Sequence, residues 1–465
     1  MPLWLSVLPI ALLLGALVML LVADGTDAIS AWSPVALLAA AALSIILTVA
    51  KRRCTVSGLR HGMKISCTQI MPAVPLLVLI GLVSTTWMLS GIVPTLIDYG
   101  LKCLNPRLFL MLTCACCAVV SLLTGSSWTT IATVGVAFMG IGTVLGYSEA
   151  WTAGAIISGA YFGDKISPLS DTTVVASSSC GVDLFSHIRY MLVTTTPAMV
   201  IALVVFTAVG LFQGGEGVGA ADPGLVDALH ATFNITPWVL AVPAVTGVLI
   251  ALRVRTTVTL GVSALMGTAT IWLAQPQIAQ RLNVFTALLS ETTFSSGNAR
   301  LDELAATSGL MGMVPTILLV LCAMVFGGAM IGTGMLRSLA DSFTRHLRRR
   351  TGIVGATVGS GLFLNCCTAD QYLSLIIGAN MYRDVYDRFG LEHRLLSRSL
   401  EDSISVTSVL IPWNSCGVTQ SAVLGVATFT YLPCCIFNLL SPVMTLVVAR
   451  LGFRISAPRP AVEAG

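Results

Sequence analysis

The sequence predicts an all-α polytopic membrane protein, built from two inverted-topology repeats that contain hairpins and broken helices. Three observations lead there. Charged residues make up 10% of the 465-residue chain, where a soluble globular chain carries about 25%. Hydrophobic residues make up 55% without counting the 42 glycines, and the mean hydropathy is +0.89. Apolar runs long enough to cross a bilayer, about 17–25 residues each, recur from one end to the other. The 25 basic and 21 acidic residues leave a net charge of only +4. So few charges cannot solvate the surface of a chain this long. Disorder, collagen, a nucleic-acid binder and a soluble enzyme are all excluded, and the lipid bilayer is the implied partner.

The N-terminal unit, 1–70, holds two spans near 3–22 and 31–50 and a basic cytoplasmic loop. Its first apolar run has no basic n-region and no small-residue cleavage pattern before Asp24, so it reads as an uncleaved span. The unit 71–212 follows, with a span over 72–97 and an apolar region over 108–146 interrupted by polar residues 124–130. It continues with a span over 152–180, broken by the polar stretch 163–173, and a span over 190–212. The linker 213–309 carries spans over 237–252 and 256–273, with an acidic, Gly-rich outer loop at 213–227. The unit 310–452 has the same order of elements: a span (310–336), a hairpin with a polar tip (352–381), a broken span (403–430) and a span (432–449). A tail, 453–465, ends the chain.

The positive-inside rule orients these segments. With the N-terminus cytoplasmic, Lys102, Arg107, Arg281 and Arg300 fall outside and Lys165 falls within the membrane, which leaves 20 of the 25 basic residues on the cytoplasmic side. Both termini are then cytoplasmic. Reading 108–146 or 352–381 as two full spans rather than a hairpin returns the chain to the same side, so charge does not choose between these forms. The first copy starts from the cytoplasm and the second from outside. Interrupted segments at corresponding positions of two inverted copies point to the substrate site of a transporter.

The stretch 163–173 places Asp164, Lys165 and Asp171 at membrane depth, beside Ser167, Ser170, Thr172 and Thr173. Each such charge at mid-helix costs about 2.5–3.5 kcal/mol on insertion scales, and packing alone gives no reason to bear that. Gly163 and Pro168 are the expected breakers, and Pro168 frees carbonyls near the acids. Carboxylates, hydroxyls and carbonyls together are the ligand set of a hard monovalent cation. Irregular backbone at this depth belongs in protein or beside a cavity. Lys165 reads either as part of the site or as a counter-ion to Asp164 or Asp171. In the second unit Asp370 lies in the hairpin tip, and Glu401 and Asp402 start the broken span. Asp402 is a candidate ligand or a simple helix cap. Pro412 and Gly417 repeat the breaker chemistry beside Asn414 and Ser415. Ser126, Ser127, Thr129 and Thr130 in the first tip read equally as ligands or packing hydroxyls.

The thirteen cysteines lie mostly in apolar runs, where a thiol behaves as a small hydrophobe. The five histidines fall in polar stretches between spans, so no zinc site can be assembled by spacing, and no resident cofactor is expected. The spacings Gly159-x-x-x-Gly163 and Gly355-x-x-x-Gly359 predict close helix contacts.

At residues 159–173 (G-A-Y-F-G-D-K-I-S-P-L-S-D-T-T), 396–403 (L-S-R-S-L-E-D-S) and 410–417 (L-I-P-W-N-S-C-G) the sequence resembles the NhaC family of sodium/proton antiporters. The resemblance extends over about 70–450. It implies an ion-transporter-superfamily fold in which hairpin tips and broken helices surround one site, and it suggests a homodimer. Val174 stands where the family usually has Asn, Ile404-Ser405 where it has Gly-Thr, and Val409 where Pro is common. Some family members exchange organic acids such as malate and lactate.

Two functions follow. In the first, Asp164 and Asp171 exchange Na+ for H+. A carboxylate can hold a proton or a sodium ion but not both, and Lys165, Ser167, Thr172, Thr173, Asp370, Asp402 and Asn414 complete the site. In the second, Lys165 and half-helix N-termini meet a small organic acid carried with Na+ or H+. An enzyme is not expected, since no nucleophile–base or metal–ligand set falls within the spans.

Overall fold

Lipid offers no hydrogen-bond partners, so apolar segments that cross it satisfy their backbone internally as helices. The computed structural model describes residues 3–51, 55–71, 73–103, 105–213, 223–252, 254–336, 338–339 and 349–452. Arg52, Arg53, Arg253, Arg337, Arg345, Arg348, Arg454 and Arg459, most of the expected outer loop and the tail lie outside the described residues. Among the described residues no strand forms, and an isolated bridge joins Thr292 to Thr307. Seven helices are long and apolar enough to cross a membrane, or up to ten if each of three bent pairs counts as one span. The chain is an all-helical, multi-pass membrane protein.

The helices that matter for the site are α1 (Leu3–Ala50), α2 (Val56–Ile70), α3 (Ala73–Leu89), α4 (Ile92–Cys103) and α5 (Phe109–Thr124). They continue with α6 (Ser127–Val144), α7 (Glu149–Ile166), α8 (Asp171–Ser179), α9 (Leu184–Gln213), α10 (Ala241–Ala251) and α11 (Thr256–Ala274). The second half supplies α12 (Val314–Gly332), α13 (Arg350–Thr368), α14 (Gln371–Arg388), α15 (His393–Leu400), α16 (Ser415–Leu424) and α17 (Ile436–Leu451).

The elements differ from the expected ones in three places. The turn expected between 22 and 31 is helical backbone, so α1 runs unbroken for 48 residues. The basic loop before residue 70 contains a helix, α2, whose Ser66 hydroxyl donates to the Met324 carbonyl of α12 at 2.9 Å. The span expected over 72–97 bends by 66° between α3 and α4. Gly91 makes that bend in the left-handed region at φ +79°, where a side chain would also collide with the Gln275 amide.

Close helix packing follows the glycines in one expected place and not in the other. A Cβ on Gly159 or Gly163 of α7 would lie 2.1 or 2.2 Å from the Cys114 and Ala118 carbonyl oxygens of α5, so these helices meet backbone to backbone. Gly355 and Gly359 of α13 make no such approach. The nearest atom to a Cβ on Gly355 is a Leu446 methyl at 4.0 Å, and Gly359 faces open space. A second unforeseen seam joins α2 to α12, where Gly62 lies against Gly328 and Gly332.

Candidate functional site

Two hairpin tips and two helix breaks meet around one cavity. The first tip forms because Gly125 leaves α5 at φ +68°, a conformation open to glycine without strain. Ser126 then caps α6, its Oγ accepting the Thr129 amide at 3.2 Å. A Cβ on Gly125 would lie 2.6 Å from the Leu169 carbonyl carbon, so this tip sits directly on the break between α7 and α8. Gly163 does not break the chain, since α7 runs through it to Ile166; the break comes where Pro168 cannot continue the helix, and Ser170 restarts it as the cap of α8.

The second tip is built the same way. Ala369 leaves α13 at φ +57°, and Asp370 caps α14 by accepting the Leu373 amide at 2.9 Å. The Ala369 carbonyl accepts the Ser415 amide at 2.9 Å, which fastens this tip to the break before α16. Asn414 caps α16 through the Cys416 amide at 3.1 Å.

Asp164, Asp171 and Asp370 line a single cavity of about 590 Å3. Asp164 is buried and accepts the Ser127 hydroxyl at 2.7 Å. Asp171 is exposed in the first turn of α8. Asp370 also accepts the Ser415 hydroxyl at 3.3 Å. Thr172, Trp128, Thr129, Gln371 and Tyr372 share this lining. The rest of the wall comes from α2, α3, α10 and α11 with the loop between the last two: Thr68, Leu76, Ile80, Ile250, Val254, Leu260 and Arg255. Among the described residues no three His, Cys, Asp or Glu side chains converge closely enough to hold a metal ion. The carboxylates alone therefore do not close a cage, and a cation in the cavity would also draw on hydroxyls or water.

The other expected ligands have different occupations. Ser167 donates to the Leu122 carbonyl at 2.8 Å, and Thr173 donates to the Lys165 carbonyl at 3.0 Å. The Asp164 carbonyl accepts the Ser167 amide at 3.1 Å, so the carbonyls expected to be freed at Pro168 are bonded. The Asn414 side-chain amide donates to the Asn365 carbonyl at 3.3 Å.

Lys165 and Asp402 form a buried ion pair outside the cavity. The Lys165 ammonium also donates to Ser441 Oγ at 3.0 Å. Thr194, Ser441 and Thr445 all donate to the Asp402 carboxylate. Asp402 is no helix cap, because it lies inside a π-helical turn, Glu401–Ser405. Three further charged or titratable residues are fully buried. His187, expected in a polar stretch between spans, lies in α9 with Nδ1 2.8 Å from Ser397 Oγ. Arg398 stacks on the Tyr190 ring at 4.7 Å. The carboxylate oxygens of Glu401 have no hydrogen-bond partner among the described residues. Spacing gave no sign of these contacts. Tyr372 was not singled out either, since an aromatic residue beside a tip is unremarkable in a membrane helix.

A second cavity, of about 560 Å3, is lined from the later turns of α3, α6 and α16, with Ser84, Thr143, Glu149, Glu303 and Gly425 among its residues.

Residues 1–183 and 159–453 match the Na+/H+ antiporter family. The chain belongs to that family. Among relatives, the Na(+)/H(+) antiporter NhaC of Alkalihalophilus pseudofirmus is 37% identical over 399 residues, covering 86% of this chain and 85% of the relative. The malate-2H(+)/Na(+)-lactate antiporter of Bacillus subtilis is 35% identical, covering 81% and 79%. The arginine/ornithine antiporter ArcD of Halobacterium salinarum is 32% identical, covering 86% and 82%. The resemblance read from the motifs at 159–173, 396–403 and 410–417 thus extends over most of the chain. All three relatives are named as antiporters, which points away from a catalytic enzyme.

Proposed function

We propose that this member of the Na+/H+ antiporter family exchanges Na+ for H+ across the cell membrane, and that the cavity carrying Asp164, Asp171 and Asp370 is its transport site. The supporting observation is that three carboxylates, brought by two tips and two breaks from distant parts of the chain, share one cavity. Burial disfavours a charged carboxylate and a cation beside it restores it. A proton and a sodium ion therefore compete for the same oxygens, and that competition couples the two fluxes. The two tip-and-break units are the inverted copies in this reading, both termini are cytoplasmic, and the working unit is a homodimer.

The organic-acid reading has weaker support. It needs a cation to meet the anion, and the Lys165 ammonium is occupied by Asp402. Three carboxylates against one guanidinium, Arg255, also make the cavity a poor place for an anion.

The test is dequenching of a pH-gradient dye in everted vesicles on addition of NaCl, LiCl, KCl or sodium malate. Collapse of the gradient by NaCl without any organic anion is expected, with the response reduced to that of empty vesicles in Asp164→Asn and Asp171→Asn. A response to malate alone would replace antiport by the organic-acid carrier. Crosslinking in native membranes checks the dimer.

A further inference from the structure

We infer that an apolar groove behind the first tip seats one acyl chain of a bilayer phospholipid, which backs that tip and seals the site cavity from the membrane. The inference does not depend on which ion the cavity carries.

The groove has a volume of about 520 Å3 and lies between α3, α4, α5, α6 and α10. That size falls within the range of small-molecule sites, about 300–1,000 Å3. Its walls include Trp87, Leu96, Val120, Phe138 and Ile141, and no charged side chain among the described residues lines it. The three threonine hydroxyls in the lining are already engaged. Thr133 donates to the Thr129 carbonyl at 2.7 Å, and Thr246 donates to the Val242 carbonyl at 2.8 Å. Thr124 accepts the Ser126 amide at 3.2 Å. The Trp87 indole donates to Ser263 at 3.0 Å. A buried water needs about 2–4 polar partners, and an apolar cavity without them stays dry and takes an apolar guest.

Hydrocarbon is the guest that this position supplies. Helices α5 and α6 are each long and apolar enough to cross a membrane, and α4 and α10 belong to bent pairs that are. Tyr99, Leu123 and Gly247 of the lining are exposed, so the groove opens on the outer surface of these helices. The same surface continues in the exposed Val119 of α5 and the exposed Val245 and Val248 of α10, the apolar face that a multi-pass protein turns to lipid. Gly247 keeps the groove open, since a Cβ there would meet nothing within 4 Å. A second copy of the chain fits less well. At a two-fold interface a patch meets itself, and two grooves set face to face leave each other unfilled.

Position also gives the acyl chain its role. Thr124 and Ile250 line both the groove and the site cavity, so a single layer of side chains parts the two there. Thr124 holds the tip as well, because the amide it accepts is that of Ser126, the cap of α6. Hydrocarbon packed behind Thr124 restrains the tip and closes this wall to water.

The test is photocrosslinking of the purified full-length protein in phosphatidylcholine liposomes, using a phosphatidylcholine with a diazirine in one acyl chain. Adducts are mapped by mass spectrometry. They are expected on Phe138 and around Gly247, beside those on Val204 and Leu265, whose exposed side chains any surrounding lipid would label. Gly247→Phe fills the groove and should lower the groove adducts about tenfold, the loss expected when about two methylenes lose their contacts. Adducts at Val204 and Leu265 should stay unchanged. The variant is checked for an unchanged elution volume and Tm, and Gly247→Leu takes its place if it does not fold. Adducts confined to Val204, Leu265 and other outer positions would overturn the inference. So would groove adducts that the variant leaves at the wild-type level. An oxidant-induced disulfide between the Cys103 thiols of two chains, with the groove unlabelled, would overturn it in favour of a second copy.

Discussion

Asp370 is both a helix cap and a cavity carboxylate, and two substitutions separate the roles. Asn caps a helix about as well as Asp. Asp370→Asn is therefore expected to keep the unfolding temperature of the purified protein while abolishing Na+-driven proton movement. Asp370→Ala loses the cap as well and should cost about 0.5–2 kcal/mol more, read from thermal unfolding followed by size-exclusion chromatography. The Lys165–Asp402 pair gives a sharper stability contrast, because both side chains are almost wholly buried. Asp402→Ala leaves a buried charge unpaired and should destabilise by about 3–5 kcal/mol. Lys165→Met combined with Asp402→Leu removes both charges and should recover most of that loss. Acids at 164 and 171 were legible because a charge in an apolar run needs a reason. The partner of Lys165 was not, since Asp402 lies 237 residues away and spacing along the chain carries no information about which helices meet.

A repeated small-residue spacing marks a helix contact only when the backbone geometry closes on it, and α7 and α13 show both outcomes. Gly159→Ala would drive a methyl into the Cys114 carbonyl and force α7 from α5. A lower Tm and a lower yield of monodisperse protein are expected. Gly359→Ala meets open space in a helix and should stabilise by about 0.5–1 kcal/mol through the smaller backbone entropy of Ala. Equal effects at the two positions would defeat the packing argument. Apolar runs, polar tips and proline breaks were all visible in the sequence, and the structure has tips at 124–126 and 369–370 and breaks at 167–170 and 411–414. The bend at Ser90-Gly91 was not visible, because a single glycine in an apolar run is common in membrane helices and Gln275, which leaves no room for a side chain there, lies far along the chain. The helical form of α2 was hidden by the basic residues Arg60 and Lys64, which suggested a loop when read without their neighbours. They occupy the exposed side of a helix whose glycine side packs on α12.

For the whole molecule, the two cavities described above share α3, α6 and α16 but draw on different turns of α6 and α16 and on adjoining stretches of α3. The site cavity uses Ile80, Thr129 and Ser415, and the other uses Ser84, Met139 and Ala422. The π-helical turn Ile131–Gly135 lies between those two sets in α6. Under the proposed exchange the site must open to each side in turn, and this layout leaves a cavity toward either end of the same three helices. In the orientation proposed above, Thr68 and Arg255, in the lining of the candidate-site cavity, face the cytoplasm, and Lys102 and Glu149 lie on the other side. Two native cysteines report on this directly, because Cys67 in α2 and Cys103 at the end of α4 are both exposed. A membrane-impermeant maleimide is expected to label Cys67 in everted vesicles and Cys103 in right-side-out vesicles, with Cys67→Ser and Cys103→Ser as controls. Sodium should slow labelling of Cys67, which neighbours the cavity residue Thr68, and should leave Cys103 unaffected. The reverse pattern of sidedness would turn the molecule over in the membrane. The site cavity would then face outward, and the cation protection at Cys67 would have to be sought in the opposite vesicle orientation.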